Sequence, residues 1–361
     1  MEFGIFSNGF RPHTDAGHTY EEDIQEIVLA DKLGFRDAYI SEHHGEPPYI
    51  NRVDTIPAPE FMMCKAAALT KNIRMGAAVK LLHIQHPLDA AIQAAVIEHL
   101  LGEGRFIFGF GSGFPSPLFS AERGLSFDDR HERLMESLDF ILKCWTTDEI
   151  FDWDGKHWKG EGVVALPKPA SAPHMPMATA TDSEEMIRIS GERGYTLLSA
   201  FLEAPARLKA KTAIYSEAAR AAGNTRPLAN ITASRIVYLA DSVEQAIEDL
   251  RPSVTYEVSV QAERGFLKML KNVFKVDVPN DERAIEVLVE AGFYVVGDPD
   301  TVAGTIRQFY DDSGGFGTFL MVCGKDWADR EKRARSMTMF MDHVAPQLRH
   351  LDPDATEIAA E

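Results

Sequence analysis

The chain has 361 residues, 45% hydrophobic and 25% charged, so it can bury a large core without a disulfide or metal staple. Its formal net charge of −18 at pH 7 would repel phosphate backbones and anionic lipids, which argues against nucleic-acid and membrane partners. Cys64, Cys144 and Cys323 show no metal or disulfide spacing, and no signal-peptide pattern or long apolar run is present, so we expect a cytoplasmic protein.

Eight short apolar runs have the composition of β-strands, and amphipathic stretches with helical periodicity separate most of them. The strand-like runs are 3–7, 38–41, 73–79, 106–111, 177–180, 196–199, 231–239 and 317–322. Helical patterns at 59–70 and 87–101 begin with a proline, which is a good first-turn residue. Alternating strands and helices predict an α/β protein with a (β/α)8 TIM barrel. A doubly wound open sheet is the alternative.

Two segments are longer than a minimal barrel needs. Residues 150–174 alternate aromatic residues with glycines and then become rich in proline, which predicts a hairpin and an extended linker. Residues 251–291 form a long excursion before the apolar run 293–297, and such insertions are usually lids or interface elements. We therefore expect one domain over residues 1–361, with insertions at about 150–174 and 251–291, the second acting as a lid.

The run 38–41 ends in Glu42, His43 and His44. Chemistry in β/α proteins is placed at the carboxyl ends of strands, so these three residues are candidates for an active site. A histidine pair that only caps the strand is the alternative. Neighbouring residues of an extended chain point to opposite sides, so His43 and His44 cannot both face the barrel interior, and the trio is a poor metal site.

Five motifs occur in a fixed order along the chain. They are SEHH at 41–44, GRFIFGFGSG at 104–113, PKP at 167–169, GERG at 191–194 and VGDP at 296–299. In this order and spacing the chain resembles the bacterial luciferase-like family of flavin-dependent monooxygenases over nearly its whole length. The resemblance implies a (β/α)8 barrel, often a homodimer, that takes reduced FMN from a separate flavin reductase. It also implies that O2 and a flavin hydroperoxide are used to oxygenate a small, largely apolar organic substrate.

For the reaction site, the resemblance implies that His43 lies beside the reactive edge of the flavin, where an imidazole can exchange protons near neutral pH. Glu42 and His44 would then support it. The resemblance also implies a cis peptide bond between Ala78 and Val79, and an apolar pocket that excludes water. The predicted lining residues are Phe6, Ala77, Ala78, Val79, Phe108 and Phe110. His83 and His86, which follow this strand, are expected to make hydrogen bonds within their loop.

For the cofactor, Gly109, Gly111 and Gly113 would let a planar ring or a phosphate approach the backbone, although a weakened strand is the alternative. The chain departs here from bacterial luciferase itself, whose reactive cysteine aligns with Gly111 and whose phosphate-contacting arginine aligns with Ser112. Light emission on an alkanal is therefore not expected, and the phosphate needs other cations. Arg130 and Arg133 are the substitutes predicted, with ordinary solvated charges as the alternative.

The resemblance places the FMN phosphate at the turn that carries Thr181 and Ser183, before a predicted helix. A helix N-terminus binds phosphate readily, although Ser183 could simply be an N-cap. The acidic residues Asp182, Glu184 and Glu185 oppose an anion unless the two glutamates point outward.

Three other functions are alternatives. The first is a deazaflavin-dependent oxidoreductase of the same superfamily, and the second is a non-catalytic flavin-binding subunit. The third, a metal-dependent barrel hydrolase, needs ligands from several strands that the sequence does not supply, so no metal is expected. Baeyer–Villiger oxidation is a special case of the monooxygenase prediction, suggested by the Gly-Gly-Phe-Gly-Thr motif at 314–318.

Overall fold

The computed structural model describes residues 1–11, 14–44, 56–113, 121, 123–263 and 265–355. Its strands are β1 (Glu2–Phe10), β2 (Asp37–Ile40), β3 (Arg74–Ala77), β4 (Lys80–Leu81), β5 (Phe106–Gly111), β6 (Phe151–Asp154), β7 (Lys159–Val163), β8 (Met177–Thr179), β9 (Thr196–Leu197), β10 (Thr232–Leu239), β11 (Tyr294–Gly297) and β12 (Thr318–Lys325). The larger helices are α1 (Ala16–Leu33), α2 (Pro59–Ala67), α3 (Pro87–Leu101), α4 (Arg130–Thr146), α5 (Glu184–Arg193), α6 (Pro205–Ala221) and α7 (Val243–Glu263). They are followed by α8 (Phe266–Met269), α9 (Ala284–Glu290), α10 (Pro299–Ser313), α11 (Arg330–Met339) and α12 (Ala345–Leu348), with π-helical turns at Leu270–Phe274 and Phe340–Val344.

Parallel strands form the barrel that the sequence predicts. The strand order β10-β12-β1-β2-β3-β5-β8-β9 runs around the ring. A parallel bridge between Leu197 and Ile231 then joins β9 to the start of β10. The Thr232 hydroxyl supports this junction by accepting from the Ser199 N–H at 3.1 Å and donating to the Leu197 carbonyl at 3.2 Å. The eight predicted runs supply these barrel strands, so the predicted fold class is confirmed.

β3 and β4 are two halves of one interrupted barrel strand, because both pair with β5. In β3, Met75 is opposite Phe106, and in β4, Lys80 is opposite Phe110. The peptide bond between Ala78 and Val79, in the interruption, is cis as predicted. The interruption lies towards the carboxyl end of the strand, where a TIM barrel carries its site.

β11 is a strand that the eight predicted runs do not include. The first part of β10 pairs with β12, whereas its last part, Ile236–Leu239, pairs with β11. The segment before β11 is also more regular than its sequence suggested, since α7 continues past Arg251 and Pro252 to Glu263. Its buried residues Ala246, Leu250, Val254 and Val258 recur every four positions, which places them on one helix face.

Within the described ranges, buried apolar side chains form three clusters. The largest, which we call the outer core, lies between the barrel strands and the surrounding helices. A second, which we call the lumen cluster, consists of Tyr39, Val79, Ile107, Ala178, Leu198 and Leu320. Its members come from different barrel strands or the residues just after them, so they meet inside the barrel. A third, the roof cluster, joins α7, the 266–274 turns, α9 and β11 to the ends of β10 and β12.

The predicted hairpin segment contains the antiparallel strands β6 and β7. The Glu136 carboxylate of α4 holds it by accepting from the His157 and Trp158 N–H groups at 2.8 and 2.9 Å. Among the described helices, none combines the length and apolarity needed to cross a bilayer.

Candidate active site

The carboxyl ends of the barrel strands form the mouth of the barrel, which has an apolar floor with polar groups at its edge. Phe6 and Ala78 are only partly buried and pack on the lumen cluster. The hydroxyl oxygens of Ser41, Thr179 and Ser199 are buried, and each lacks a hydrogen-bond partner among the described residues. Strand alternation turns Thr179 and Ser199 away from the side of the lumen residues Ala178 and Leu198. Ser41, two positions after the lumen residue Tyr39, faces the interior, and because buried hydroxyls are normally paired it fits a ligand that brings its own polar atoms. A flavin ring, apolar on its faces and polar along its edge, has this character.

Glu42 and His44 are tied to each other and to neighbouring charges. The Glu42 Oε1 lies 2.8 Å from His44 Nε2, and the Glu42 Oε2 lies 3.5 Å from the Lys80 Nζ. The Lys80 Nζ also lies 3.0 Å from an oxygen of Glu60 in α2. Burial would lower the pKa of Lys80, but the carboxylates of Glu42 and Glu60 outweigh it and raise that pKa. Glu42 and His44 therefore share one side of the chain, facing α2.

His43 lies between these two residues in sequence and is partly exposed. Its backbone N–H donates to the Ile56 carbonyl at 3.0 Å, which fixes the main chain where it leaves β2. Alternation along an extended chain turns its side chain away from the Glu42 and His44 side. The predicted roles of His43 as the proton-handling group, and of Glu42 and His44 as its supports, remain predictions.

Two predicted lining residues, Phe108 and Phe110, face away from the barrel interior. Phe108 packs edge-on against Trp145 at 5.1 Å, and Phe110 against Tyr195 at 5.7 Å, both in the large outer core. Ile107, between them in sequence, belongs to the lumen cluster. The prediction for these two phenylalanines is wrong because alternation along β5 puts even-numbered positions on its outer face.

Ala77 also belongs to the outer core, so its methyl group does not line the mouth either. Ala78 and Val79 do belong with the lumen side chains. Of the predicted apolar lining, the structure therefore brings Phe6, Ala78 and Val79 together.

The glycines of β5 make room for the interrupted strand beside it. A Cβ at Gly109 would lie 1.7 Å from the Ala77 carbonyl oxygen. A Cβ at Gly111 would lie 2.7 Å from a methyl of Val79, and Gly113 has φ +57°. The closest neighbours of all these positions are protein atoms of the 77–81 segment. Contact of Gly109, Gly111, Ser112 and Gly113 with a cofactor remains a prediction.

Arg130 and Arg133 begin α4 near the loop that follows β4. The Arg130 guanidinium donates to the Phe127 carbonyl at 3.0 Å and stacks on the Phe127 ring at 4.0 Å. Burial, followed by the charges of Arg130 and Arg133, lowers the pKa of the imidazole of His83 to about 4. Both His83 ring nitrogens lack a partner among the described residues, whereas His86 accepts from the Leu88 N–H at 3.2 Å as expected. A neutral His83 and two cations thus lie on one side of the mouth.

The turn after β8 has the geometry of a capped helix start. The Ser183 hydroxyl accepts from the Met186 N–H at 3.5 Å, and the Thr181 hydroxyl accepts from the Ser183 N–H at 3.1 Å. Glu184 and Glu185 are exposed to solvent, so their charges repel an anion at this turn less than the sequence suggested. Binding of a phosphate by Thr181 and Ser183 remains a prediction.

Two cations at this turn were missed by the sequence reasoning. Arg207 and Lys211 of α6 each place a nitrogen 2.6 Å from a carboxylate oxygen of Asp182. Partial burial would raise the pKa of Asp182, but Lys211 and Arg207 outweigh it and lower that pKa. Lys211 also pairs at 2.9 Å with Glu203, whose side chain is buried. These two cations and two carboxylates have no net charge together, so the repulsion between Asp182 and a phosphate is offset.

A narrow cavity lies on the opposite side of the mouth, beneath α7 and the 266–274 turns. It is lined mainly by apolar side chains of the roof cluster, and Asn8, Glu257, Gln261 and Lys325 add polar atoms. The 251–291 insertion thus covers the carboxyl ends of β1, β10 and β12. Among the described residues, no set of three or more acidic, histidine or cysteine side chains converges on a point that could hold a metal ion.

The 314–318 motif lies at the other end of the barrel. Gly314 and Gly315 have φ of +81° and +92°, and a Cβ at Gly317 would lie 2.2 Å from the Ala229 carbonyl oxygen. Phe316 is buried against Phe309 at 5.6 Å. The motif shapes the turn into β12 at its amino end, far from the mouth, so it carries no information about the substrate.

Comparison with known proteins places these features in a family. The family model for luciferase-like monooxygenases matches residues 1–315. The chain is 29% identical to 4-hydroxyprotoasukamycin monooxygenase of Streptomyces nodosus subsp. asukaensis, covering 96% of this chain and 92% of that protein. It is 28% identical to limonene 1,2-monooxygenase of Rhodococcus erythropolis, covering 96% and 86%.

Among solved structures, the oxygenating constituent of 3,6-diketocamphane monooxygenase from Pseudomonas putida is similar over nearly its whole length. That structure is of a type II Baeyer–Villiger monooxygenase in complex with FMN. It superposes with a TM-score of 0.81 at 27% identity, covering 96% of this chain and 98% of that one.

Proposed function

The chain belongs to the luciferase-like monooxygenase family, and we propose that, as a flavin-dependent monooxygenase, it uses reduced FMN and O2 to oxygenate a small, largely apolar organic molecule. The observation that carries this proposal is the barrel mouth. There an apolar floor of Phe6 and Ala78 lies beside the SEHH segment, whose Ser41 hydroxyl is buried and lacks a partner among the described residues. A separate flavin reductase would supply the reduced cofactor.

The residues of the mouth would have different roles according to which part of the flavin they contact. Thr181 and Ser183, with the N-terminus of α5, would hold the phosphate, and Arg207 and Lys211 would offset Asp182. Phe6 and Ala78 would contact the ring and exclude water. When bound, reduced FMN would supply the electrons that activate O2.

His43 would hold and release the proton that oxygen transfer requires. Glu42 and His44 would keep its segment of chain in place through their contacts with each other and with Lys80.

The test is to mix the protein and reduced FMN, prepared without oxygen, with oxygenated buffer in a stopped-flow spectrometer. We expect the protein to delay flavin reoxidation by roughly tenfold or more relative to free FMN, because a dry pocket shields the ring from water and stray protons. Reoxidation at the rate of free FMN would count against the proposal and favour a deazaflavin enzyme or a non-catalytic subunit.

A homodimer is part of this proposal, and the face formed by α2 and α3 would be its interface. Three large apolar side chains of these helices are exposed, Phe61 at 79%, Val96 at 40% and Leu100 at 63%, and so is Leu69 at 53%, just after α2. Such a patch on neighbouring helices is typical of an interaction surface, and a twofold axis would bury it on both copies at once.

Replacing Phe61 with Glu is expected to weaken dimerisation by roughly tenfold or more, because it would bury a charge in each half of the interface. Light scattering coupled to size exclusion over a concentration series measures this directly. Ile150→Glu is the matched control, since Ile150 is 72% exposed but lies beside the hairpin. A wild-type monomer at all concentrations, or equal weakening by both variants, would contradict the assignment.

A further inference from the structure

We propose that Lys80 is a positioning residue, which holds the segment carrying His43 in place beside the apolar floor of the mouth. The inference rests on the proposed function, in which His43 handles the proton and the floor contacts the flavin. Lys80 lies outside the SEHH motif, at the start of β4.

The main chain at residues 41–44 lies beyond the regular pairing of β2, which ends at residue 40. Two of its N–H groups donate to carbonyls of neighbouring segments, that of Ser41 to Ser7 at 2.9 Å and that of His43 to Ile56 at 3.0 Å. Side-chain contacts therefore contribute to holding this stretch in place.

Glu42 makes the side-chain contact that depends on Lys80. Its side chain is 1% exposed, and its Oε2 is buried and accepts no hydrogen bond from the described residues. The Lys80 Nζ lies 3.5 Å from this oxygen, and among the described residues no other lysine or arginine pairs with Glu42. A buried carboxylate is costly without a cation beside it. We therefore expect Glu42 to move towards solvent, and the main chain with it, when the ammonium is removed.

Lys80 is itself held from two sides. Its main chain pairs with Phe110 of β5, and its ammonium lies 3.0 Å from an oxygen of Glu60 in α2. It also follows the floor residue Ala78 by two positions along the chain. The ammonium therefore connects a rigid barrel strand, which carries part of the floor, to the segment that carries His43.

A lysine that only stabilises the fold is the alternative, and Lys168 provides a matched control for it. The Lys168 ammonium donates to the Cys144 carbonyl at 2.7 Å and to the Thr147 carbonyl. Both carbonyls lie at the carboxyl end of α4, away from the mouth. Lys168→Met thus removes a partly buried ammonium that joins two segments, but it leaves the site intact.

Three variants test Lys80 itself. Lys80→Met removes the ammonium, and Lys80→Arg keeps a cation that can pair with two carboxylates. The double variant K80M/E60Q removes one charge of each sign, so Glu42, Glu60 and residue 80 together keep the net charge of the wild type. It separates the loss of the bridge from a simple excess of negative charge, and it leaves fewer unpaired carboxylates if K80M alone folds poorly.

The first measurement is hydrogen–deuterium exchange of the full chain without cofactor, read in the peptide 38–44 and compared with β10. We expect exchange in 38–44 to be roughly tenfold or more faster in K80M and in K80M/E60Q, because the segment opens locally. K80R and K168M are expected to stay within about threefold of wild type. Unfolding temperature shows whether each variant is folded.

The second measurement is reoxidation of reduced FMN in oxygenated buffer, with FMN affinity measured in parallel. A displaced segment closes the mouth less well, so K80M and K80M/E60Q should speed reoxidation by about fivefold or more relative to the wild-type complex. FMN affinity should change by less than about threefold, since the phosphate turn lies on other strands. A loss of general stability would not separate these two quantities.

Four results would overturn the proposal: unchanged exchange of 38–44 in K80M, wild-type exchange in K80M/E60Q, the same acceleration in K168M, or a K80R variant as impaired as K80M. Exchange is read without cofactor or turnover. A failure here is therefore distinct from a failure of the monooxygenase proposal, which the reoxidation rate of the wild-type protein reports.

Discussion

Replacing His43 with Ala is expected to lower the rate of product formation by ~10² to 10⁴, the usual contribution of a positioned acid–base group. Of the three titratable residues at 42–44, Glu42 and His44 are held in contacts on the α2 side. His43 is partly exposed, on a stretch of main chain fixed by Ile56. O2 consumption should continue in the variant, because the flavin still reacts, but H2O2 should replace the oxygenated product.

The measurement is product and H2O2 formed per O2 consumed, alongside FMN affinity and unfolding temperature. His99→Ala is the control, since His99 is an exposed imidazole on α3 whose ring contacts the Lys168 carbonyl, away from the mouth. Full product yield in the His43 variant would remove His43 from the mechanism. A joint loss of FMN binding would reassign it to a structural role.

Replacing Gly109 with Ala is expected to destabilise the fold by about 3 kcal/mol or more, at the upper end of the cost of overpacking. The added methyl would lie 1.7 Å from the Ala77 carbonyl oxygen, and that neighbour is backbone in the adjacent strand. Neither strand can move without breaking the pairing of β5 with β3 and β4. The free energy of unfolding, from denaturant titration, measures the loss.

Gly304→Ala is the matched control for this substitution. Gly304 lies within α10, and a Cβ there would meet no atom within 4 Å. Alanine should therefore stabilise the protein by about 1 kcal/mol, as expected for a glycine in a helix interior. A Gly109 variant as stable as wild type would show that the segment around Ala77 yields to the methyl.

The barrel could be predicted because its signal is local. Each of the eight runs carries its own apolar pattern, and the prolines at 59 and 87 mark the starts of two helices. β11 escaped prediction for the opposite reason. It pairs with only the last part of β10, whose first part pairs with β12. The residues of β11 do not show that β10 changes its partner along its length.

The site was predictable only in part, for two physical reasons. Both faces of a parallel barrel strand are buried, so the apolar run of β5 does not reveal that Phe108 and Phe110 point outward. Charges that meet in space can also be far apart in sequence. Arg207 reaches Asp182 because α6 follows α5 around the barrel, and Lys325 meets Glu257 across the cavity.

Because the roof cluster is separate from the outer core, we expect the two to differ in how readily they open and in how freely they accept substitutions. Segments whose apolar contacts are mostly internal tend to open as cooperative units of their own, below the free energy of global unfolding. We expect the helices of the roof to open in this way and admit molecules to the cavity, while the barrel strands to which they pack stay protected from exchange with solvent. The same independence lets mutation reshape the roof at little cost to the barrel, so selection can alter what the enzyme accepts without rebuilding how it handles oxygen.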